Sequence, residues 1–585
     1  MAEPNAKTLD NIHKARTYKD IPPSDYLVPY ASIGDLLDRR AAELAHKTWL
    51  IHYDADGNRE EFTYSQFNQR VNQIANFLTR QLNVKNGNRI ATIGYNHSQT
   101  IMIYFAAWKI GATIAPQNVA EDDARINYIL RNSEAVTLLA RPEYLNRAVT
   151  IVQDVEHSEG PVSNVRQIVQ FGGDPHDGFV HLDSEINSCS TAFTPEVTPS
   201  LETEALLVYT SGTTGAPKGV VLTHYNLLVD AKGIADWHGM DASHRTMCVL
   251  PTHHVNGIEV THIAPLYVGG STVLTRAYSS SNFWARIARE NVQIVSLVPT
   301  LLQFSLEYAS IAEAEGRSIW GEGISRDDLD NFRHFICGAG TLAVALSSAF
   351  EEKFHIPILH GYGLSETTCY SCFLPISLDW EEHRHWMKDY GYPSIGVPIM
   401  PNEMAIFDPI GSGEQLDPGE RGEICIRGHN VMKYYFNRPD ANTETFKFGW
   451  FRSGDEGFYE VDEQGRPFFF ITGRLKELIN RGGVKFSPFD IEEVLLQLPQ
   501  VKVGLAVAFE NDYYGEEVGA YVVPIEGQEV SEQEVLDHCR TRMTFEKSPK
   551  VVVFGMEVPV TTTGKYQRLK LRVLFSEWKH TQFRG

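Results

Sequence analysis

Short apolar runs alternate with amphipathic segments along most of the chain. Residues 49–53 and 89–93 are apolar runs of strand length, whereas residues 34–44 and 66–82 repeat their apolar positions with helical spacing. Repeated strand–helix units favour layered sheets covered by helices, which is an α/β fold. Residues 1–30 are polar and contain prolines, so we expect an arm that lies over the first domain.

The pattern changes near Gly422, where short strands and turns replace the alternation. After Gly473 a charged stretch precedes a compact tail, with predicted helices over 488–497 and 532–543 and predicted strands over 503–509 and 518–523. A chain of 585 residues also exceeds what a single core usually supports. We therefore predict a large multi-layer N-terminal domain of sheets with packed helices, residues 1–474, and a small mobile α+β C-terminal domain, residues 475–585.

The stretch from Thr210 to Gly219 is rich in groups that bind phosphate. It holds three glycines, four hydroxyl residues and Lys218 within ten positions. Glycines let a backbone turn tightly around an anion, and free N–H groups, hydroxyls and a lysine then contact its oxygens. Apolar runs at 205–209 and 220–222 flank the stretch, so we predict a loop between strands that holds a polyphosphate. Lys218 leads into a strand, unlike a Walker P-loop, and taken alone the loop could equally be an ordinary surface turn.

Composition limits the partners of the chain. The 52 Lys and Arg against 74 Asp and Glu give a net charge of −22, which argues against nucleic acid or an anionic membrane as the main partner. A phosphate ligand must therefore be met by local cations, backbone amides and a divalent metal. The seven cysteines include one Cys-x-x-Cys pair and no second pair for a zinc site, as suits a reducing cytosol. With no signal peptide, no membrane-length apolar run and no Ser-Lys-Leu terminus, we expect a cytoplasmic monomer or homodimer without membrane insertion.

Five stretches resemble, in order, the motifs of the adenylate-forming superfamily, which includes acyl-CoA synthetases, aryl-CoA ligases, peptide-synthetase adenylation domains and beetle luciferases. Residues 209–224 resemble its phosphate-binding signature, and residues 360–368 resemble its Tyr-Gly-x-Thr-Glu motif, with Ser365 in place of threonine. Residues 449–455 resemble its nucleotide motif, residues 473–488 its interdomain hinge and residues 559–565 its final Pro-x-x-x-x-Gly-Lys motif. The resemblance covers roughly residues 30 to 570, and it is carried by the motifs occurring together.

The resemblance implies a set of ATP-binding residues: Thr210, Ser211, Gly212, Thr213, Thr214, Gly215, Lys218, Gly338, Ala339, Gly340, Gly361, Tyr362, Gly363, Ser365, Asp455 and Arg474. Tyr362 would stack on adenine, Asp455 would accept both ribose hydroxyls, and Arg474 would reach the ribose or a phosphate. Glu366 would coordinate Mg²⁺. Lys565 would stabilise the charge that develops when a carboxylate attacks the α-phosphate. Each residue alone could be an ordinary turn or surface residue.

The same resemblance implies a hinge, a tunnel and an acyl pocket. Lys476 would be the pivot of the C-terminal domain, and Gly482 and Gly483 would line the tunnel for coenzyme A, next to Val484 where many relatives carry glutamate. His254 would flank the acyl pocket and gate the tunnel, as a catalytic residue. The pocket would also include His253, Asn256, Cys337, His360, Gly361 and Leu364. Their polarity indicates a short or polar acid. A metal site at His253, His254 and His262 is disfavoured, because no His-Glu-x-x-His motif is present.

The resemblance therefore implies an AMP-forming acyl-CoA synthetase with Mg²⁺ as cofactor and ATP and coenzyme A as cosubstrates. A carboxylate and ATP would give acyl-AMP and pyrophosphate, and rotation about Lys476 would then admit coenzyme A. Three alternatives stay open: a stand-alone adenylation enzyme that passes the acyl group to a carrier protein, a luciferase-like oxidative enzyme, and a non-enzymatic nucleotide-binding scaffold.

Overall fold

A computed structural model of the chain describes residues 5–154, 164–210, 216–410, 413–560 and 566–584. Two large sheets form the centre of its N-terminal part. In the described residues the first sheet has nine strands, in the order Val397–Pro398, Cys372–Phe373, Ile358–Tyr362, His334–Cys337, Ile294–Leu297, Arg245–Cys248, Ser271–Thr275, Thr48–Tyr53 and Arg59–Thr63. The second has eight, in the order Tyr434–Phe436, Lys218–Thr223, Glu204–Thr210, Thr113–Gln117, Arg89–Ile93, Thr137–Ala140, Gln167–Gln170 and Val180–His181.

Two smaller sheets follow towards the C-terminus. The third sheet is antiparallel and consists of Asn402–Phe407, Gly422–Gly428, Phe451–Val461 and Pro467–Arg474. The C-terminal sheet runs Val484–Phe486, Ile479–Arg481, Gly515–Pro524 and Val501–Asn511, with Val551–Phe554 pairing parallel to Gly515–Pro524. It has a hydrophobic core of its own, which includes Ile479, Val518 and Cys539. The α/β class, with a large N-terminal and a smaller C-terminal domain, is confirmed, and the boundary at 474/475 stays a prediction.

Helices cover the sheets and join their strands. The α-helices are Ala6–Ala15, Ile33–Glu43, Tyr64–Arg80, Ser98–Ile110, Asp123–Asn132, Leu145–Gln153, Leu182–Ile186, His224–Trp237, Val255–Ile258, Ala264–Val268, Ser280–Arg289, Pro299–Ala314, Val344–Phe354, Trp380–Lys388, Pro439–Thr445, Pro488–Leu495, Glu532–Arg540 and Arg568–Leu571. The π-helical turn Glu259–Ile263 lies between two of them, and short 3₁₀ turns occur at Pro142–Tyr144, Asp327–Leu329, Ser365–Thr367 and Arg572–Trp578. Within the described residues, no helix is long and apolar enough to cross a membrane.

The bounds of several predicted helices differ in the structure, and capping explains where helices begin. The helix predicted over 66–82 starts at Tyr64, because Thr63 and Gln66 form a reciprocal capping box ahead of it. The helices predicted over 488–497 and 532–543 end earlier, at Leu495 and Arg540. The expected N-terminal arm contains the helix Ala6–Ala15, capped by the Asn5 side chain.

Candidate active site

The predicted phosphate loop lies in an antiparallel hairpin of the second sheet. Thr210 ends one strand, Lys218 begins the next, and the two residues are paired in register. Ser211, Gly212, Thr213, Thr214 and Gly215 lie outside the described residues. The ammonium nitrogen of Lys218 is 4.4 Å from the centre of the Tyr435 ring. Burial lowers the pKa of Lys218, and the nearby Glu366 carboxylate opposes that shift.

Glu366 lies in the loop that joins the strands Ile358–Tyr362 and Cys372–Phe373 of the first sheet. Tyr362 pairs with Cys372 at the base of this hairpin, so the loop extends beyond the ends of these two strands. The Glu366 carboxylate is largely buried and accepts a 2.7 Å hydrogen bond at Oε1 from the Tyr435 hydroxyl. Burial raises the pKa of Tyr435 well above its usual value, so the phenol stays a neutral donor.

A single carboxylate at this place fits a magnesium ion. Mg²⁺ usually takes one or two protein carboxylates and completes its shell with substrate phosphates and water. Among the described residues the Glu366 carboxylate accepts a hydrogen bond only at Oε1. No group of three or more His, Cys, Asp or Glu in the described part could hold a metal without such a substrate. Glu366 would therefore hold the ion together with phosphate oxygens, and the ion would neutralise phosphate charge.

Two of the predicted nucleotide-binding residues lie on neighbouring strands of the third sheet. Asp455 lies within the strand Phe451–Val461 and pairs in register with Arg474 on the neighbouring strand. The Tyr362 hydroxyl donates to Oδ2 of Asp455 at 2.6 Å, and Nε of Arg474 is 3.4 Å from Oδ1. Burial and the adjacent Asp455 raise the pKa of Tyr362 well above its usual value, so it donates its proton to a fixed carboxylate. This geometry brings together residues that are 93 positions apart in sequence.

The loop 338–340 follows the strand His334–Cys337, and neighbouring side chains pack closely against the start of this loop. A Cβ added to Gly338 would lie 2.5 Å from the Tyr370 hydroxyl oxygen, and one added to Gly361 would lie 2.3 Å from Phe373. Ala339 has a φ of +66°, so its backbone is left-handed, which is uncommon for a residue other than glycine. Gly340 ends the loop 338–340, and Gly363 and Ser365 lie in the loop that contains Glu366. The backbone at Gly338 and Gly361 is therefore closely surrounded by side chains.

The predicted acyl pocket has a polar network that the sequence did not reveal. Asn256 donates from Nδ2 to the Tyr370 hydroxyl at 3.1 Å, and its Oδ1 accepts from the Ser296 hydroxyl at 2.7 Å. All three side chains are buried. We call Asn256, Ser296 and Tyr370 the polar floor. Tyr370 and Ser296 were not predicted, because their roles depend on contacts between segments far apart in sequence.

Burial keeps three other side chains of the predicted pocket uncharged at physiological pH. Burial lowers the pKa of His360 to about 4, and its Nδ1 is 2.9 Å from the Ser394 carbonyl oxygen. Burial also lowers the pKa of His253, whose ring centre is 4.7 Å from that of His254, and its Nε2 has no hydrogen-bond partner among the described residues. Burial raises the pKa of the Cys337 thiol, so it is no thiolate nucleophile. Leu364 is half-buried at the start of the Glu366 loop.

The predicted hinge and tunnel loop lie after the third sheet. Lys476 follows the strand Pro467–Arg474, and its positive charge adds to the lowering of the Lys218 pKa that burial causes. Gly482 and Gly483 form a tight turn with φ of +60° and +92° between Ile479–Arg481 and Val484–Phe486. Such a turn favours glycine at both positions. Val484 is exposed beside it, and Lys565 lies outside the described residues.

Comparisons with known proteins show the family of the chain. Residues 37–436 match the model of the AMP-binding enzyme family, and residues 490–565 match the AMP-binding enzyme C-terminal domain. The chain is 31% identical to an oxalate–CoA ligase of Arabidopsis thaliana over 91% of this chain and 94% of that protein. It is 30% identical to a sulfoacetate–CoA ligase of Cupriavidus necator over 81% and 85% of the two chains.

A solved structure of the anthranilate CoA ligase AuaEII with anthranoyl-AMP superposes with a TM-score of 0.80, at 26% identity over 95% of this chain and 99% of that one. The chain therefore belongs to the AMP-binding enzyme family and is an adenylate-forming acyl-CoA ligase. ATP and coenzyme A as cosubstrates fit this family.

Proposed function

We propose that the chain is an AMP-forming carboxylate:CoA ligase that acts on a short or polar acid. One observation carries this proposal: buried Tyr435 contacts both Lys218 and Glu366, and buried Tyr362, four residues before Glu366 in the same hairpin, donates to Asp455. Residues that bind a triphosphate and a ribose need such fixed relative positions. The geometry of the site therefore suits ATP with its phosphates towards Lys218 and its ribose towards Asp455.

Each of these residues would have a separate task in the first reaction. Asp455 would hold the ribose hydroxyls, and Lys218 would bind the β- and γ-phosphates and the departing pyrophosphate. Glu366 would hold the magnesium ion. Lys565 would approach the α-phosphate when the carboxylate attacks, where a positive charge stabilises the developing negative charge. The products of that step would be acyl-AMP and pyrophosphate.

The polar floor supports a short or polar acid. The amide and hydroxyl groups of Asn256, Ser296 and Tyr370 bond to one another, and a long hydrocarbon chain packed against them would gain no hydrogen bond from them. A short acid with its own polar group would instead bond to them. The oxalate and sulfoacetate ligases among the relatives are named for acids of this kind, although others are named for ferulate or long-chain fatty acids.

In the second reaction the C-terminal domain would turn about Lys476 and bring the turn at Gly482 and Gly483 to the acyl-adenylate, while His254 would gate the tunnel for the thiol. The turn is fixed at its base, because the Gly482 amide donates to the Tyr514 carbonyl at 2.8 Å.

All seven cysteines of the chain are free, which supports a cytoplasmic location. Whether the chain is a monomer or a homodimer stays a prediction.

A carboxylate panel tests the proposal. Purified protein is incubated with ATP, Mg²⁺ and each acid, with and without coenzyme A, while pyrophosphate release and the mass of any thioester are recorded. We expect acyl-CoA from short polar acids, and weaker turnover for long-chain fatty acids. Pyrophosphate release without any acyl-CoA would favour the alternative acceptor, a carrier protein. No pyrophosphate release with any acid would contradict the proposal.

A further inference from the structure

Tyr435 contacts both of the side chains that we assign to the ATP phosphates. Its hydroxyl donates to Oε1 of Glu366 at 2.7 Å, and its ring face lies 4.4 Å from the ammonium nitrogen of Lys218. Lys218 belongs to the second sheet, whereas Glu366 belongs to a loop of the first sheet. The phenol therefore joins a cation and a carboxylate that come from different sheets.

The position of Tyr435 is itself fixed. Its short strand pairs antiparallel with the strand that begins at Lys218, with Tyr435 opposite Val220. Asn442 holds both backbone polar groups of Tyr435: its Oδ1 accepts from the Tyr435 amide at 2.7 Å, and its Nδ2 donates to the Tyr435 carbonyl at 3.0 Å. The side chain is buried. A fixed backbone and a buried ring leave the hydroxyl little freedom to move away from Glu366.

The segment that leads to Tyr435 also holds the backbone of the Glu366 loop. The Met432 amide donates to the Glu366 carbonyl at 2.7 Å, the Asn430 side chain donates to the Thr367 carbonyl at 3.1 Å, and the Thr368 hydroxyl donates to the Asn430 carbonyl at 2.7 Å. Thr368 has a φ of +65° and a ψ of −66°, a strained conformation for a β-branched residue. Residues outside the loop therefore have to maintain its shape.

The type of contact suits a phosphate site. A hydrogen bond to Oε1 orients the Glu366 carboxylate and leaves its second oxygen for a cation. An aromatic ring attracts the Lys218 ammonium without neutralising it, whereas a carboxylate partner would compete with phosphate for its charge. Tyr435 can thus hold both groups in place and leave both free for their ligands.

We propose that Tyr435 is a positioning residue that fixes the Glu366 carboxylate and the Lys218 ammonium relative to each other for the binding of ATP with Mg²⁺. The inference rests on the proposed function, since it takes these two residues as phosphate and magnesium ligands. The variant Tyr435→Phe removes the hydroxyl and keeps the ring under Lys218. Tyr434→Phe is a matched control, because its hydroxyl donates to Glu204 at 2.8 Å in the adjacent position of the same strand.

Calorimetric titration of the unliganded proteins tests the inference without knowledge of the acid. The titrants are ATP with Mg²⁺, ATP with a chelator, and AMP with a chelator. We expect Tyr435→Phe to weaken the binding of ATP with Mg²⁺ about tenfold, the effect of one hydrogen bond to a charged group. Its affinity for AMP should stay within about twofold of wild type, and Tyr434→Phe should match wild type with every titrant.

A purely structural role would weaken AMP and ATP binding alike, and that result would overturn the inference. Unchanged ATP affinity in Tyr435→Phe would overturn it as well. In a Glu366→Gln background, Tyr435→Phe should add no further loss, because the two side chains act through one contact. Melting temperatures of the free proteins verify that each variant folds. A wild-type protein that binds no ATP with Mg²⁺ would instead contradict the proposed function itself.

Discussion

The variant Tyr370→Phe tests the polar floor of the acyl pocket. It removes one oxygen and keeps the ring, which packs against Phe373 with ring centres 4.4 Å apart. No cavity is created, so the effect comes from the hydroxyl alone. Nδ2 of Asn256 loses its acceptor at 3.1 Å, and a buried polar group left without a partner costs about 1–3 kcal/mol of unfolding free energy.

The same change should alter substrate selectivity. In wild type the Tyr370 hydroxyl accepts from Asn256, and an O–H group that accepts in this way can still donate its proton to a polar group of the acid. A site built to bond a polar group rejects an analogue that lacks it. Loss of one neutral hydrogen bond should therefore reduce the preference for a polar acid over its methyl analogue by about tenfold.

The assay compares kcat/KM for the best acid of the panel with that for its methyl analogue, in wild type and in Tyr370→Phe. The control variant Tyr53→Phe also loses a buried hydroxyl, which donates to Glu290 at 2.6 Å and lies on the strand next to the edge strand of the first sheet. We expect both variants to lose stability in urea unfolding, and only Tyr370→Phe to lose selectivity. A selectivity ratio that stays the same in Tyr370→Phe would refute the role of the polar floor.

Further variants test other parts of the account. Asp455→Ala should weaken AMP binding by about a hundredfold in calorimetry, since bonds to a charged group contribute about 1.5–3 kcal/mol each; unchanged affinity would contradict its ribose role. Arg481→Met removes the 2.8 Å partner of the fully buried Glu517 and leaves it the Lys550 ammonium at 3.5 Å, so urea unfolding should show a loss of about 1–3 kcal/mol, and a neutral change would count against that ion pair. Burial lowers the pKa of His224 to about 3. As the pH falls, His224 is therefore protonated in the unfolded chain before it is protonated in the folded chain. The free energy of unfolding should then decrease below about pH 6.5, by up to ~1.4 kcal/mol per pH unit, and His224→Asn should remove this contribution to the pH dependence. Lys565→Ala should abolish carboxylate-dependent pyrophosphate release and keep thioester formation from synthetic acyl-AMP, and equal loss of both steps would contradict its assignment.

The local hydrophobic pattern predicted the strands that flank the candidate site and the fold class. Apolar runs on both sides of the glycine-rich stretch were enough to predict two strands with a loop between them, and the structure pairs Thr210 with Lys218 at the mouth of that loop. The alternation of strands and helices likewise predicted the α/β class. These features depend on neighbouring residues, so a single sequence contains the information.

The contacts that complete the site could not be predicted in this way. Tyr435 and Glu366 are 69 positions apart, and Asn256 and Tyr370 are 114 positions apart. Asp455 resembles a turn residue by its neighbours Ser453 and Gly454, yet it lies in a strand beside Arg474. Which distant side chains meet depends on how two sheets pack, and no local periodicity records that.

The fate of one oxygen atom tests the central claim most directly, namely that a carboxylate attacks the α-phosphate of ATP. The best acid of the panel is labelled with ¹⁸O in its carboxyl group and converted with ATP, Mg²⁺ and coenzyme A, and the nucleotide product is analysed by mass spectrometry. Attack at the α-phosphate leaves a carboxylate oxygen bridging to phosphorus, and the thiol later displaces AMP with that oxygen attached. The account predicts AMP that carries one ¹⁸O atom. ADP with labelled inorganic phosphate, or unlabelled AMP, would contradict it.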